Sequence, residues 1–267
     1  MSKPSWQPTL LIRATVVLHL LVLVALVAMP NQWSWLLAII IANHIVITVI
    51  GLWPRSQALG PNWIQLPVAA TARNEIALTI DDGPDPIVTP QVLDILDHYE
   101  VKATFFCIAE KAAYYPELCQ EISRRGHTVE NHSQHHRHYF SLLGYAGIKH
   151  ELQTAQDTLT KITGQRPLFF RAPAGLRNPF LDPVLTHLGL RLATWSVRGF
   201  DTHIGDAQQV KNTLLAGLQS GAILLIHDGN AARTPEGTPV IVDVLPTVLA
   251  SAKEIDLHFV TLREAIS

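Results

Sequence analysis

Two adjacent carboxylates, Asp81 and Asp82, end the apolar run Leu78-Thr79-Ile80 and are followed by Gly83-Pro84. Neighbouring carboxylates at a strand end can divide two tasks of a hydrolase, since one can hold a metal ion while the other removes a proton from water. We therefore interpret Asp82 as a metal ligand and Asp81 as a general base. The alternative for Asp81 is that it only caps the turn that Asp-Gly-Pro favours.

A histidine-rich segment downstream supplies further ligands for a metal ion. His132 and His136 are four residues apart, a spacing that places both side chains on one face of a helical turn. With Asp82 they would form a facial His, His, Asp set that leaves positions for water and substrate. This set predicts a divalent cation, with Zn²⁺ as the first candidate and Co²⁺, Ni²⁺ or Fe²⁺ as alternatives. A His-rich surface turn that binds nothing is the competing interpretation.

Three further polar residues follow other apolar runs. His227 ends Leu224-Leu225-Ile226 and could protonate a leaving amine, while Asp201 could keep His227 protonated. Arg171 could orient Asp81 through a charge-assisted hydrogen bond. The alternatives are a buried structural histidine for His227 and an ordinary surface ion pair for Arg171.

Alternating strands and helices must position these residues. Strands are predicted over residues 76–82, 103–109, 128–131, 168–172, 192–197, 222–227 and 258–262. Helices are predicted between them over residues 89–99, 115–125, 148–162, 179–188, 206–219 and 242–252. Seven β-then-α units indicate a parallel barrel or an open doubly wound sheet. In both folds the active site forms at the carboxyl ends of the strands, where the candidate residues fall.

Two apolar runs, residues 10–29 and 33–53, precede the first acidic residue, Glu75. Each has about 20 residues, the length that spans ~30 Å of hydrocarbon. A polar break over residues 30–32 makes the pair a helical hairpin, and tryptophans at the ends of the second run are typical of a membrane interface. We predict a transmembrane hairpin over residues 1–54, a linker over 55–74 and a catalytic domain over 75–267. A signal peptide is the alternative for the first run.

The few basic residues near the hairpin predict its orientation. Lys3 and Arg13 lie at the start, Arg55 follows the second run, and the turn carries no charge. The positive-inside rule then places both ends and the catalytic domain on the cytoplasmic side of the inner membrane. His19 and the pair Asn43-His44 lie within the spans, where we favour a hydrogen bond that staples the hairpin over a functional role.

Composition excludes several classes of function. The formal net charge is -2, so the chain has no basic footprint for nucleic acid. Cys107 and Cys119 cannot form a disulfide framework, and no Cys-x-x-Cys pattern is present. The chain has no Gly-x-Ser-x-Gly, phosphate-binding glycine loop or dinucleotide fingerprint. No feature identifies a protein partner.

From Glu75 to the C-terminus the chain resembles the polysaccharide deacetylase superfamily, the carbohydrate esterases of family four that include the nodulation chitooligosaccharide deacetylase. Four motifs carry the resemblance: Thr79-Ile80-Asp81-Asp82-Gly83-Pro84, His132-Ser133-Gln134-His135-His136, Arg171-Ala172-Pro173-Ala174-Gly175 and Leu225-Ile226-His227. The resemblance implies a distorted (β/α)7 barrel and metal-dependent removal of an N-acyl group, above all acetyl, from an amino sugar. It implies Asp81 as base, His227 as acid and Leu225 as part of the acyl pocket.

The chain departs from the family pattern in two places. The fourth motif usually reads Asp-x-x-Asp-Trp, whereas Arg198-Gly199-Phe200-Asp201-Thr202 keeps only the second Asp. Ala174 stands where the third motif usually has Tyr, although its backbone N–H can still serve an oxyanion. Both changes remove aromatic platforms on which sugars stack.

Three hypotheses about function follow, two of which name a substrate. The first is an N-acylated amino sugar in a cell-envelope glycan, deacetylated by a membrane-tethered enzyme. The second is deacetylation or deformylation of a polyprenyl-phosphate-linked amino sugar at the cytoplasmic membrane face. The third, of another class, is an inactive glycan-binding module on the same fold. In the first two the partners are the sugar substrate and the lipid bilayer.

Overall fold

The computed structural model describes residues 5–266, so Lys3, used above for the membrane orientation, lies outside the described residues. In this part of the chain eight strands form one sheet. They are β1 (Glu75–Asp81), β2 (Thr104–Cys107), β3 (Thr128–Asn131), β4 (Phe169–Phe170), β5 (Arg191–Leu192), β6 (Val197–Arg198), β7 (Ile223–His227) and β8 (His258–Phe259). All the pairings between them are parallel.

The strand order is that of a barrel. It runs β5-β4-β3-β2-β1-β7-β6, and β8 pairs with the first residues of β1. The last long strand, β7, therefore lies beside the first, as barrel closure requires, whereas a doubly wound sheet would reverse its order from the middle outwards. The order ends at β5 and β6, so the barrel is a distorted half-barrel. This result confirms the predicted fold class.

Helices cover the outer face of the sheet. They are α4 (Val88–His98), α5 (Ala109–Tyr114), α6 (Pro116–Arg124), α7 (Tyr145–Thr163), α8 (Leu181–Leu188), α9 (Ala207–Leu215) and α10 (Val240–Glu254), and they follow two membrane-type helices and the short α3 (Val68–Ala72). β1 and β7 are buried along almost their whole length. Their near-continuous apolar sequences suit strands that are covered on both faces.

The fifth predicted strand, residues 192–197, is wrong as a single element and divides into β5 and β6. The guanidinium of Arg171 donates to the carbonyl oxygens of Ala193 and Thr194 at 3.1 and 2.6 Å. These two carbonyls therefore bond a side chain instead of a neighbouring strand, and the ladder breaks. As a consequence Asp201 follows the sixth strand and not the fifth.

Much of the segment predicted as a linker is folded onto the domain. Leu59, Leu66 and Ala70 are buried. Trp63 pairs in parallel with Ala193 next to β5, and Gln65 bridges to the residue that precedes β7. The segment thus lies across the gap at the end of the strand order.

The hairpin consists of α1 (Leu10–Ala28), a short turn (Pro30–Gln32) and α2 (Trp33–Gly51). Both helices are long and apolar enough to cross a membrane. The predicted stapling hydrogen bond uses Asn43, whose side-chain oxygen accepts from the Thr15 hydroxyl at 3.3 Å. His19 and His44 instead stack edge to face, with ring centroids 5.3 Å apart.

The membrane-type helices are joined to the barrel by specific contacts. The backbone N–H of Arg177 donates to the Gly51 carbonyl oxygen at 3.1 Å, and the Thr9 hydroxyl donates to the Ala58 carbonyl oxygen at 2.7 Å. Gly51 lies so close to the backbone of Arg177 that a side chain there would collide. The end of α2 is therefore fixed against the loop that precedes α8.

Candidate active site

The carboxyl ends of the strands bring all the predicted site residues into one region. A pocket of about 290 Å³ at these ends is lined by seven of them, namely Asp81, Asp82, His132, His136, Ala174, Leu225 and His227. The other two, Arg171 and Asp201, are completely buried and contact members of this set. The parallel arrangement explains the convergence, because every strand delivers its last residue to the same edge.

A local backbone feature allows both adjacent aspartates to reach the pocket. Neighbouring side chains on a strand point to opposite faces, so Asp81 and Asp82 would diverge in a regular strand. Asp82 has a φ of 72°, in the left-handed region that Asp tolerates better than most residues. The strand ends at Asp81, and the change of direction at Asp82 returns its carboxylate to the same side.

Three side chains form a cluster that could hold a metal ion. Asp82 Oδ1 lies 3.2 Å from His132 Nε2 and 3.3 Å from His136 Nε2. All three donor atoms lie within 4.8 Å of one another. His132 Nδ1 lies 2.8 Å from the carbonyl oxygen of Arg171, an acceptor that fixes the proton on Nδ1 and leaves the Nε2 lone pair for a cation. The donor set therefore suits a divalent ion such as Zn²⁺.

The two histidines converge through a loop and not through the helical turn predicted from their spacing. Ser133 and His136 have φ values of 65° and 50°, which a helix would not allow. The Asn131 side chain accepts from the Ser133 N–H at 2.8 Å, and the Ser133 hydroxyl accepts from the His136 N–H at 3.0 Å. These side chains replace helical hydrogen bonds and direct both imidazoles at Asp82.

The electrostatic environment suits the ligand role. Burial raises the pKa of the Asp82 carboxyl, but the hydrogen bond and charge of His132, aided by His136 and His227, outweigh it and bring that pKa below its usual range. Burial and repulsion from His132 lower the pKa of His136 to about 4. At neutral pH Asp82 is therefore ionised and His136 is neutral, the forms that bind cations.

Asp81 has a different set of partners. Its Oδ1 accepts from Arg171 Nη1 at 2.6 Å, and its Oδ2 lies 3.8 Å from His132 Nε2, on the side of the metal-type cluster. Arg171 is fully buried over the ring of Phe106, so it is not an ordinary surface ion pair. Burial lowers the pKa of Arg171, and the Asp81 carboxylate opposes this effect. One oxygen of Asp81 is thus held while the other faces the pocket.

His227 is paired with Asp201. The carboxylate of Asp201 accepts from the His227 backbone N–H at 2.7 Å and lies 3.0 Å from His227 Nδ1. Burial lowers the pKa of His227, but the hydrogen bond and charge of Asp201, helped by Asp81 and Asp82, outweigh it and raise that pKa. The pair can therefore hold a proton next to the metal-type cluster.

The turn Pro173–Gly175 and the strand β7 supply the remaining predicted positions. Ala174 has φ 54° and ψ 9°, a left-handed conformation inside this turn, and lines the pocket. Leu225 belongs to β7 and lines the same pocket.

Three of the pocket residues that were not predicted as site residues contribute to its chemistry or its walls. The Asn230 amide donates to Asp82 Oδ2 at 3.1 Å and fixes the carboxylate oxygen that does not face the histidines. Trp195 supplies an aromatic wall although Thr202 does not. Arg198 stacks over Trp195 with 5.4 Å between guanidinium carbon and ring centroid. A signal existed for Asn230, which follows His227-Asp228-Gly229 at a strand end, but Trp195 lies in the segment whose strand prediction was wrong.

Comparison with known proteins places the chain among deacetylases. A family model described as polysaccharide deacetylase matches residues 69–193. The peptidoglycan-N-acetylglucosamine deacetylase of Bacillus cereus is 31% identical over 193 residues, which cover 72% of this chain and 87% of the relative. The chitooligosaccharide deacetylase of Azorhizobium caulinodans is 34% identical over 158 residues, which cover 59% of this chain and 75% of the relative.

A solved structure shows the same fold. The crystal structure of the Bc1960 peptidoglycan N-acetylglucosamine deacetylase superposes with a TM-score of 0.69 at 27% sequence identity. The superposition covers 76% of this chain and 92% of that chain. The N-terminal hairpin lies outside the range that the family model matches.

Proposed function

Because this chain belongs to the polysaccharide deacetylase family, we propose that it is a metal-dependent hydrolase that removes an N-acyl group, above all acetyl, from an amino sugar of the cell envelope. The observation that carries the proposal is the grouping of Asp82, His132 and His136 beside two further ionic pairs in one pocket. One pair contains a carboxylate that can accept a proton, and the other contains an imidazole that can donate one.

Asp82, His132 and His136 would hold the cation. A divalent ion there would polarise the acyl carbonyl and make water more acidic. Zn²⁺ is the first candidate for a His, His, carboxylate set, and Co²⁺, Ni²⁺ or Fe²⁺ could also be bound. Asn230 donates to Asp82 Oδ2 and so keeps the carboxylate oriented with Oδ1 toward the histidines.

Asp81 acts as the general base. Arg171 binds one oxygen of Asp81, so the carboxylate presents its other oxygen to a water molecule that attacks the acyl carbon. The backbone N–H of Ala174 donates to the oxyanion that develops, a role that needs no side chain. Leu225 forms part of the wall that receives the small acyl group.

His227 acts as the general acid. The amine that leaves the acyl carbon is a poor leaving group unless it is protonated, and a protonated imidazole held by Asp201 can supply the proton. The products are a free amino sugar and a small carboxylic acid.

The relatives named above act on peptidoglycan N-acetylglucosamine and on chitooligosaccharides, and this chain is proposed to act on the same chemical class. The pocket volume of about 290 Å³ lies just below the usual range for ligand sites, roughly 300–1,000 Å³. Trp195 contributes an aromatic part of the wall that a sugar ring would contact. These features support recognition of a single N-acylated sugar unit.

The hairpin is proposed to anchor the enzyme in the inner membrane with the catalytic domain on the cytoplasmic side. Apolar side chains on α1 are widely exposed, with Val24 at 67% and Val27 at 86%. Trp33, Trp35 and Trp53 are exposed near the ends of α2, as interfacial tryptophans would be. Arg13 and Arg55 lie on the domain side of the hairpin, which supports a cytoplasmic domain.

Acyl release from a defined sugar tests the proposal. The full-length protein would be purified in detergent, stripped of metal, reloaded with Zn²⁺ or Co²⁺ and incubated with N-acetylated chitooligosaccharides. We expect release of acetate that depends on the added metal. Binding of the glycan with no release by the loaded protein would instead support the inactive glycan-binding module.

A further inference from the structure

In the wall of the catalytic pocket, Arg198 is a cation without a carboxylate partner among residues 5–266. Its Nε is buried and has no hydrogen-bond partner within residues 5–266. Its guanidinium stacks on Trp195 and Phe200 and forms no ion pair in the same range. A buried donor without a partner is unfavourable, so a ligand that accepts a hydrogen bond from this guanidinium would be favoured. A neutral glycan offers no charge to this arginine.

A second cation connects the hairpin to the same wall. Arg55 Nη1 donates to the carbonyl oxygen of Ser196, next to Trp195, at 3.2 Å. The preceding residue, Pro54, and Trp195 both lie against Gly175, since a Cβ on Gly175 would lie 2.7 Å from an atom of each. The chain that leaves the second hydrophobic helix therefore forms the outer side of the pocket wall.

An apolar groove of about 630 Å³ lies on the other side of this wall. It runs between α1, α2 and two loops of the barrel, and its walls include Val16, Leu20, Ile47, Leu52, Leu142 and Phe180. The part of α1 that lines it, residues 12–20, rises about 12 Å at 1.5 Å per residue. That distance is close to one leaflet of a hydrocarbon core of ~30 Å, on the side of the catalytic domain.

One loop borders both cavities. Ala174 and Gly175 line the catalytic pocket, and the residues from Arg177 to Phe180 line the groove. Arg177 adds positive charge at this junction. Its side chain bonds the carbonyl oxygen of Ser56, and burial, opposed by Asp182, lowers its pKa only to about 10. A molecule with a sugar at one end and a hydrocarbon chain at the other could contact both cavities across a cationic junction.

We propose that the substrate is a lipid-linked amino sugar whose phosphate binds Arg198 and Arg55 and whose hydrocarbon chain lies in the groove between the hairpin and the barrel. This inference rests on the proposed deacetylation, because it assigns the N-acylated sugar to the catalytic pocket. The planar guanidinium group matches phosphate oxygens, which explains why arginine would stand in this wall. The membrane-type helices supply an environment in which the lipid is already concentrated.

Binding of a lipid phosphate tests the inference without catalysis. The probes are a polyprenyl phosphate, the polyprenol of the same length, and N-acetylglucosamine 1-phosphate, each titrated against full-length protein in detergent micelles. We expect the polyprenyl phosphate to bind at least tenfold more tightly than either of the other probes. If the polyprenol binds as tightly as the polyprenyl phosphate, the proposed phosphate recognition is refuted. If the soluble sugar phosphate binds as tightly, the proposed binding of the hydrocarbon chain in the groove is refuted.

Two pairs of variants locate the binding site. Val16→Trp fills the groove, whereas Val17→Trp places the same side chain at a neighbouring position that is equally exposed, 54% in both, but does not line the groove. Arg198→Gln removes the charge in the pocket, and Arg233→Gln removes an exposed arginine whose side chain donates to the Gly237 carbonyl oxygen. We expect Val16→Trp and Arg198→Gln to weaken binding about tenfold and the two controls to change it less than twofold. Equal losses within either pair would overturn the assignment.

Acetate release from chitooligosaccharides, measured on the same preparations, separates the two proposals. Release from the soluble sugar with no preference for the lipid phosphate would refute the inference and leave the proposed function intact. A clear preference for the lipid phosphate, with no release from any N-acetylated amino sugar, would refute the proposed function and leave the lipid site.

Discussion

At the scale of single residues, the partners of the two adjacent aspartates distinguish their roles. Asp81 is bound by a buried arginine, whereas Asp82 faces two imidazoles. The sequence could predict these pairings because each residue ends or follows a strand of one parallel sheet. It could not predict that Asn230 supports Asp82, since an asparagine beyond a strand end is also an ordinary turn residue.

Removal of a proposed ligand should remove the metal. Asp82→Ala or His132→Ala leaves two donors, and we expect the bound zinc per chain to fall to background. His138→Ala is the matched control, because His138 lines the same pocket but is not one of the three clustered donors. Metal analysis of the purified variants gives the answer, and full zinc content in Asp82→Ala would refute the assignment.

The pairing of Asp201 with His227 predicts a change in the pH profile. Because Asp201 raises the pKa of His227, the imidazole keeps its proton to higher pH than it otherwise would. If His227 must be protonated to act, turnover falls as pH rises through this pKa. Asp201→Asn lowers the pKa of His227, so the decline in turnover should begin at lower pH than in the unaltered protein. A pH–rate profile with the same alkaline limb in both proteins would contradict the role of His227.

At the scale of elements, the sequence predicted the long buried strands better than the short ones. β1 and β7 agree with prediction to within one residue at each end because their apolar runs are nearly continuous, and the four-residue β3 also agrees. The prediction of one strand over residues 192–197 was wrong because Arg171, which is distant in sequence, donates hydrogen bonds to two of the carbonyl groups in this segment. The predicted helical turn at His132 and His136 was wrong because it rested on their spacing of four residues alone. Asn131 and Ser133 favour turns that are stabilised by side-chain hydrogen bonds.

A buried histidine between two strands predicts sensitivity to acid. His127 Nδ1 accepts from the Ala103 N–H at 3.1 Å, and burial, followed by the charge of Lys102, lowers the pKa of His127 to about 4. Between pH 6.5 and 4 the unfolded chain binds a proton that the folded chain does not, so stability falls as the pH is lowered. The expected loss between pH 7 and 5 is roughly 2 kcal/mol.

His127→Asn tests this prediction, because an amide oxygen can accept the same hydrogen bond and does not titrate. Chemical unfolding followed by tryptophan fluorescence at pH 7 and 5 should show a smaller acid effect in this variant. His258→Asn, at an exposed position in β8, should retain the acid effect of the unaltered protein. If all three proteins lose the same stability, His127 is not the cause.

The contact between the hairpin and the catalytic turn predicts a loss of turnover in Gly175→Ala. Gly175 has φ 74°, and a Cβ would lie 2.7 Å from Pro54 and Trp195, so the turn that carries Ala174 must move. We expect kcat/KM to fall at least tenfold while the zinc content is retained. Gly164→Ala is the control, since Gly164 has φ 73° but nothing within 4 Å of the added carbon. Equal kcat/KM for the two variants would show that the close contact has no catalytic effect.

At the scale of the whole molecule, the hairpin and the barrel could both be predicted from sequence, but the packing of the hairpin against the barrel could not. It depends on contacts between distant residues, such as the hydrogen bond from the Trp6 indole to Asp182 at 2.8 Å. The proposed orientation predicts that the catalytic domain is protected from protease added outside intact cells and is cleaved only after lysis. Cleavage in intact cells would place the domain outside and favour a wall glycan as the substrate.

The most direct test of the central claim compares the full-length protein with its Asp81→Asn variant at equal zinc content. Acetate release from an N-acetylated amino sugar is the readout. We predict zinc-dependent release by the unaltered protein and a rate at least about 100-fold lower in the variant, the usual cost of losing a general base. Near-equal rates in the two proteins would contradict the assignment of Asp81. No release by the zinc-loaded protein would contradict the proposed reaction itself.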